Sequence, residues 1–126
     1  MVAVDTNVLV RLLVRDDKAQ ALAADRFITK GAWVSVLALA ETMWVLESVY
    51  QLNPTQLARA VEMLLNHETL TLQDADAVTA ALGQFRAKPG LEFSDCLMLE
   101  LAHKAGHLPL GTFDRRLAKA ARTHKL

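Results

Sequence analysis

The sequence predicts an α/β fold built on a parallel sheet. Three observations carry that prediction. Short apolar or β-branched runs alternate with longer stretches of helical periodicity. Cap-type residues stand at the joints between them. Acids close several of the apolar runs, at the carboxyl ends of strands where parallel sheets bind ligands.

The elements follow in chain order. Val2 to Val4 is a short buried strand, and Asp5-Thr6-Asn7 supplies cap-type residues before a helix through Val8 to Leu13. Asp16-Asp17 caps a second helix with Ala21, Ala24, Phe27 and Ile28 on its inner face, and Gly31 ends it. Trp33 to Val36 is a strand or a strand-to-helix junction. A long helix runs from about Leu37 to Tyr50 and carries Glu41 in its first turns. Asn53-Pro54-Thr55 starts the next helix, with Leu57, Val61, Leu64 and Leu65 at helical spacing. Thr69 to Leu72 alternates and is β-prone. Asp74 opens a helix through Val78, Leu82 and Phe85, and Lys88-Pro89-Gly90 is a loop. Ser94-Asp95 caps a helix striped by Leu97, Met98, Leu101, Ala102 and Ala105, with Gly106 as its C-cap. Leu108 to Thr112 is a strand broken by Pro109 and Gly111, and Asp114 opens the last helix.

Asp5, Glu41, Asp95 and Asp114 carry the chemistry. A charge beside apolar strands is costly unless paired or bound to a metal. Carboxylates converging without a cation repel one another and raise their pKa values. A hard divalent ion relieves that repulsion, and oxygen-only ligands suit Mg²⁺ or Mn²⁺. An Asp before a helix is more often only a cap, so Asp95 or Asp114 alone says little. Asp5 says more because it terminates a hydrophobic strand, and Glu41 because Ala38, Leu39, Ala40 and Met43 flank it. Thr6, Asn7 and Thr112 are placed to orient the carboxylates or hold a metal water.

Length and composition bound the rest. A chain of 126 residues, 52% of them hydrophobic, is one domain with material for one good core. Zero formal net charge does not advertise nucleic-acid binding. The charge is uneven, however: Arg115, Arg116, Lys119, Arg122 and Lys125 follow Asp114 with no further acid, a tail able to meet phosphates. Cys96 is the single cysteine and sits among apolar residues, which favours a packed thiol over a nucleophile. No apolar run reaches the roughly 18–20 residues of a membrane span, and Asp5 interrupts the N-terminal run too early for a signal peptide. The expectation is a soluble, cytoplasmic protein. The four histidines lack zinc-site spacing, Trp33 and Trp44 are expected in the core, and no P-loop or serine-hydrolase motif occurs.

Four segments in series resemble PIN-domain proteins. They are Val4-Asp5-Thr6-Asn7-Val8-Leu9-Val10-Arg11, Val36-Leu37-Ala38-Leu39-Ala40-Glu41-Thr42-Met43-Trp44-Val45-Leu46, Phe93-Ser94-Asp95-Cys96-Leu97 and Thr112-Phe113-Asp114-Arg115-Arg116-Leu117. The likeness covers nearly the whole chain and is closest to the VapC-type toxins of bacterial toxin–antitoxin pairs. It implies a single PIN domain over residues 1–126, a three-layer α/β/α sandwich with a central parallel sheet, and Mg²⁺- or Mn²⁺-dependent endoribonuclease activity. The family's acids fall on Asp5, Glu41, Asp95 and Asp114, and its polar positions on Thr6, Asn7 and Thr112. Homodimerisation and neutralisation by a small antitoxin are further implications. Two departures are visible. Leu99 stands where some relatives carry a further acid, which weighs against a second tightly held metal. Many relatives end in a strand after the last helix, whereas this sequence stops at Leu126; a shorter sheet edge or a longer chain is expected.

The reading is therefore a metal-dependent ribonuclease. Asp5, Asp95 and Asp114 hold the metal, with Glu41 completing the site or holding its waters. Arg11, Arg15, Arg115, Arg116 and Lys119 hold the RNA backbone. Hydrolysis would leave a 5′-phosphate and a 3′-hydroxyl. Two rivals stand beside it. A haloacid-dehalogenase-type phosphatase needs a second Asp two residues after the first, where this chain has Asn7. A non-catalytic PIN-like module that binds metal or RNA is disfavoured because no expected acid is missing.

Overall fold

The computed structural model describes residues 1–126, which fall into two compact units, Met1–Ala75 and Asp76–Leu126. The first is built from β1 (Val2–Ala3), α1 (Thr6–Val14), α2 (Lys18–Phe27), β2 (Ala32–Val34), α3 (Val36–Ser48), α4 (Pro54–Leu65) and β3 (Leu70–Leu72). Its sheet has the order β1-β2-β3 and every pairing is parallel, with Val2 opposite Ala32 and Val34 opposite Leu72. A helix pair therefore connects each strand to the next, as parallel neighbours require.

Local signals set these boundaries. The Asp17 side chain accepts from the Gln20 amide to start α2. Asn53 and Gln56 bond reciprocally around the start of α4, with Pro54 at the first helical position where no amide is needed. Gly31 sits at φ 104, a left-handed turn that lets the chain enter β2. The core of this unit is Leu9, Val10 and Leu12 of α1, Leu39, Met43 and Leu46 of α3, and Leu57, Val61 and Leu64 of α4, all buried. Each such side chain contributes roughly 1.5–3 kcal/mol by leaving water. Thr42 is fully buried, and its hydroxyl donates to the Ala38 carbonyl at 2.7 Å.

The second unit holds α5 (Ala75–Ala87), α6 (Phe93–Ala105), β4 (Leu110–Thr112), one 3-10 turn (Leu117–Lys119) and β5 (Thr123–Lys125). β4 and β5 pair in parallel, with Leu110 opposite Thr123. Val78, Ala81, Leu82 and Phe85 of α5 are buried, as are Phe93, Cys96, Leu97 and Leu99 of α6. Phe85 and Phe93 meet edge to face with centroids 5.9 Å apart. No helix is long and apolar enough to cross a membrane.

Several expectations are corrected. No long helix follows Asp114; the segment makes a single 3-10 turn and then the strand β5, so the chain does carry a closing strand. α6 begins at Phe93, with Glu92 at its N-cap, and Ser94 and Asp95 lie inside its first turn. Both residues of β1 are exposed, because β1 is an edge of its sheet. Phe27 and Met98 face outward. Neither tryptophan is core: Trp33 is 39% and Trp44 66% exposed. α3 carries large apolar residues on both faces, so residue type alone does not mark its inner one. Ala38, Leu39, Thr42, Met43 and Leu46 take that face, leaving Leu37, Glu41 and Trp44 on the other.

Candidate active site

Each unit brings two of the four predicted acids. In the first, β1 delivers Asp5. Val4 donates to the Trp33 carbonyl at 3.2 Å, which fixes the strand end. Asp5 is extended, at φ −95, and Oδ1 accepts from the Val8 amide at 3.1 Å, so it does cap α1. One carboxylate oxygen serves the helix, and Oδ2 has no protein hydrogen bond. The next residue, Thr6, donates from Oγ1 to Glu41 Oε2 at 2.8 Å. That bond ties the start of α1 to the outer face of α3 and orients a carboxylate that is otherwise exposed. Asp5, Asn7, Val8, Arg11, Gln20 and Phe27 are among the residues lining a pocket of about 450 Å³.

The two basic residues expected to meet RNA in this unit have protein partners. Arg11 donates to Gln20, to Asp16 Oδ1 at 3.3 Å and to the Tyr50 hydroxyl at 3.3 Å. Arg15 makes a two-pronged pair with Asp25, at 3.0 and 2.7 Å. The bond to Arg15 holds the Asp25 carboxyl below its usual range, and the same bond raises Arg15.

In the second unit, Asp95 and Asp114 are pushed in opposite directions. Asp114 follows β4. Its Oδ1 accepts from the amides of Arg116 at 2.7 Å and Leu117 at 3.0 Å, while its own amide donates to Thr112 Oγ1 at 3.0 Å. Those backbone bonds, assisted by the Arg116 charge, hold its carboxyl below the usual range. Thr112 thus holds the backbone of the turn rather than a carboxylate. Asp95 receives no hydrogen bond. Burial raises its pKa first, and the charges of Glu92 and Asp114 add to the rise. Ser94-Asp95 looked like a cap pair in the sequence; the packing of Phe93 into the core starts the helix two residues earlier and leaves the Asp95 carboxylate uncommitted. Arg115, Arg116 and Lys119 are exposed.

A nucleophilic thiol is excluded by its setting. Cys96 is 1% exposed, and burial, with the charges of Asp95 and Glu100 behind it, pushes its thiol up to about 11.

A family model for the PIN domain matches residues 2–123. The chain belongs to the PIN domain family. The match spans both units, and the PIN-like α/β fold is nuclease-like. No relative among curated proteins and none among solved structures matches it.

The donor chemistry of this PIN domain fits a hard cation. Asp95 is a partly buried carboxylate without hydrogen-bond donors, beside two further negative charges. No three His, Cys, Asp or Glu side chains are gathered into a metal-ready set. The charge on Asp95 has a testable consequence for the metal-free protein. Its place in the first turn of α6 favours an anion by roughly 0.3–1 kcal/mol, but the upward shift says that desolvation and repulsion win. A raised folded pKa means that the folded chain binds this proton more tightly than the unfolded chain does. Asp95 therefore costs metal-free stability above its raised value, and that cost is relieved as pH falls through the raised value to the unfolded one, against the opposite trend of depressed carboxyls such as Asp114. Asp95→Asn is accordingly expected to raise the melting temperature in EDTA at pH 7. A lower melting temperature would mean that the helix end outweighs desolvation.

Proposed function

We propose that this PIN domain is a metal-dependent endoribonuclease of the VapC toxin type. The observation that carries the reading is Asp95, an uncompensated carboxylate held among like charges in a chain of this family. Asp5, Asp95 and Asp114 would hold Mg²⁺ or Mn²⁺, with Glu41, positioned by Thr6, completing the site or holding its waters. Asn7 sits beside Asp5 on the opening turn of α1. When bound, the ion supplies Lewis-acid activation of water and neutralises charge at the phosphodiester. Asp5 and Asp114 each commit one oxygen to a backbone turn and keep the other free, which fixes their position before any ligand arrives. Arg115, Arg116 and Lys119 hold RNA phosphates. Arg11 and Arg15 belong to the same proposed surface, but their charges are already met by Asp16 and Asp25, so they add less.

The same reading makes the protein a cytoplasmic homodimer neutralised by a small antitoxin. Exposed apolar side chains support it: Leu37 and Trp44 on α3, and Phe113 beside Asp114, would not be left to water in a partnered protein.

The test is cleavage of a panel of RNAs by the purified chain. Cleavage is expected with Mn²⁺ or Mg²⁺ and none in EDTA, with 5′-phosphate and 3′-hydroxyl ends. Binding of RNA without cleavage in either metal would favour a non-catalytic module.

A further inference from the structure

Beside the turn that carries Asp114 lies a cationic pocket of about 350 Å³. Its charged walls are Lys88, Arg116 and Lys119, and the loop residues Pro89, Gly90 and Leu91 complete much of the rest. No acid lines it, and none of the three cations makes an ion pair. In the sequence Lys88-Pro89-Gly90 is only a loop between helices. The fold closes that loop into a turn, with the Leu91 amide donating to the Lys88 carbonyl at 3.3 Å. Gly90 sits at φ 95 and puts no side chain into the space. Lys88 thereby lines the same pocket as Lys119 of the 3-10 turn.

We infer that this pocket binds a phosphate of the RNA chain other than the one being cleaved. The inference rests on the ribonuclease reading and adds to it a binding residue, Lys88. Three positive charges without a carboxylate attract a phosphodiester and give a divalent ion no ligand, so the pocket serves binding and not hydrolysis. Its volume suits a phosphate with its sugar and is far too small for a folded partner segment. Arg116 belongs both to the pocket and to the turn of Asp114, whose carboxylate accepts its amide. A strand presented to Asp114 is thus carried past the pocket by the same short segment.

The experiment measures binding of a short single-stranded RNA in EDTA across a salt series, by fluorescence anisotropy. Lys88→Ala is expected to weaken binding severalfold and to reduce the slope of log K against log salt by about 0.7, the contribution of one phosphate contact on a single strand. Adding Lys119→Ala should roughly double that loss of slope. Lys88→Arg should keep both affinity and slope. Lys18→Ala removes one exposed charge at the start of α2 and should change neither. Unchanged affinity and slope in the Lys88→Ala and double variants, with wild type binding RNA, would overturn the pocket as a phosphate site. Failure of the wild-type chain to bind RNA would overturn pocket and ribonuclease together. Lys88-dependent binding without metal-dependent cleavage would confirm the pocket and sink only the nuclease reading.

Discussion

Asp5→Asn, Asp95→Asn and Asp114→Asn are each expected to lower metal-dependent RNA cleavage by at least about a hundredfold, the upper end of what losing a group one step removed from a metal costs. Asparagine is chosen because it separates the two roles these residues hold. Asp5 caps α1 through Oδ1, and Asp114 holds the 3-10 turn through Oδ1. An asparagine carbonyl caps nearly as well as a carboxylate, so both variants should remain folded. The amide cannot replace an anionic ligand. Loss of cleavage with retained folding is then a loss of charge at the site, not of a helix start. Glu41→Gln should be milder, because the amide oxygen can still accept from Thr6. The readout is initial rate at saturating Mn²⁺ together with thermal unfolding of each variant. Wild-type rates in any two of the three asparagine variants would dissolve the proposed four-acid site.

How far the sequence reveals this molecule depends on whether the deciding interaction is local. The start of α4 is legible because Asn53, Pro54 and Gln56 settle it among themselves. The strands β2 and β3 are legible because Ala32, Val34, Leu70 and Leu72 are buried on short apolar runs. The C-terminal segment is not, since Leu117 to Ala121 has helical composition and its outcome is decided elsewhere. Thr123 Oγ1 donates to the carbonyls of Ala118 and Ala120, at 3.2 and 2.7 Å, which a continuing helix would have needed. Arg122 turns left-handed at φ 68, and residues 123 to 125 then find a ladder partner in β4. The acids were legible as residues but their electrostatics were not: that Asp95 rises while Asp114 falls depends on which amides reach which oxygen. Lys88 gives no signal at all, because a lysine before Pro-Gly is an ordinary surface loop until the fold brings it into one pocket with Arg116 and Lys119.

The largest stability effect is expected at a pair that sequence patterning does not reveal. Glu100 lies on the inner side of α6 and is 6% exposed. Arg122 donates to both of its oxygens, at 2.6 and 3.4 Å, and the Gln84 amide adds a third bond at 3.3 Å. The Arg122 guanidinium, ahead of every other cause, holds the Glu100 carboxyl below its usual range. Arg122→Ala leaves that buried charge with Gln84 and a neighbouring His103 whose Nδ1 is 3.8 Å away. Breaking such a pair from one side costs about 3–5 kcal/mol, and the partial exposure of Arg122 places the expected loss near about 3 kcal/mol at pH 7. Alanine keeps the left-handed backbone cost of position 122 unchanged, so the loss belongs to the pair. A depressed carboxyl pKa contributes stability that is present above the unfolded value of 4.5 and lost as pH falls through the folded one. Wild type and Arg122→Ala should therefore converge in acid. Replacing both residues with leucine should recover most of the loss, because no charge is then left buried. Urea unfolding at pH 7 and below pH 4 measures all three. A difference at pH 7 below about 0.5 kcal/mol, the worth of an exposed pair, would mean that water already compensates Glu100 and that Arg122 does not hold β5 to α6.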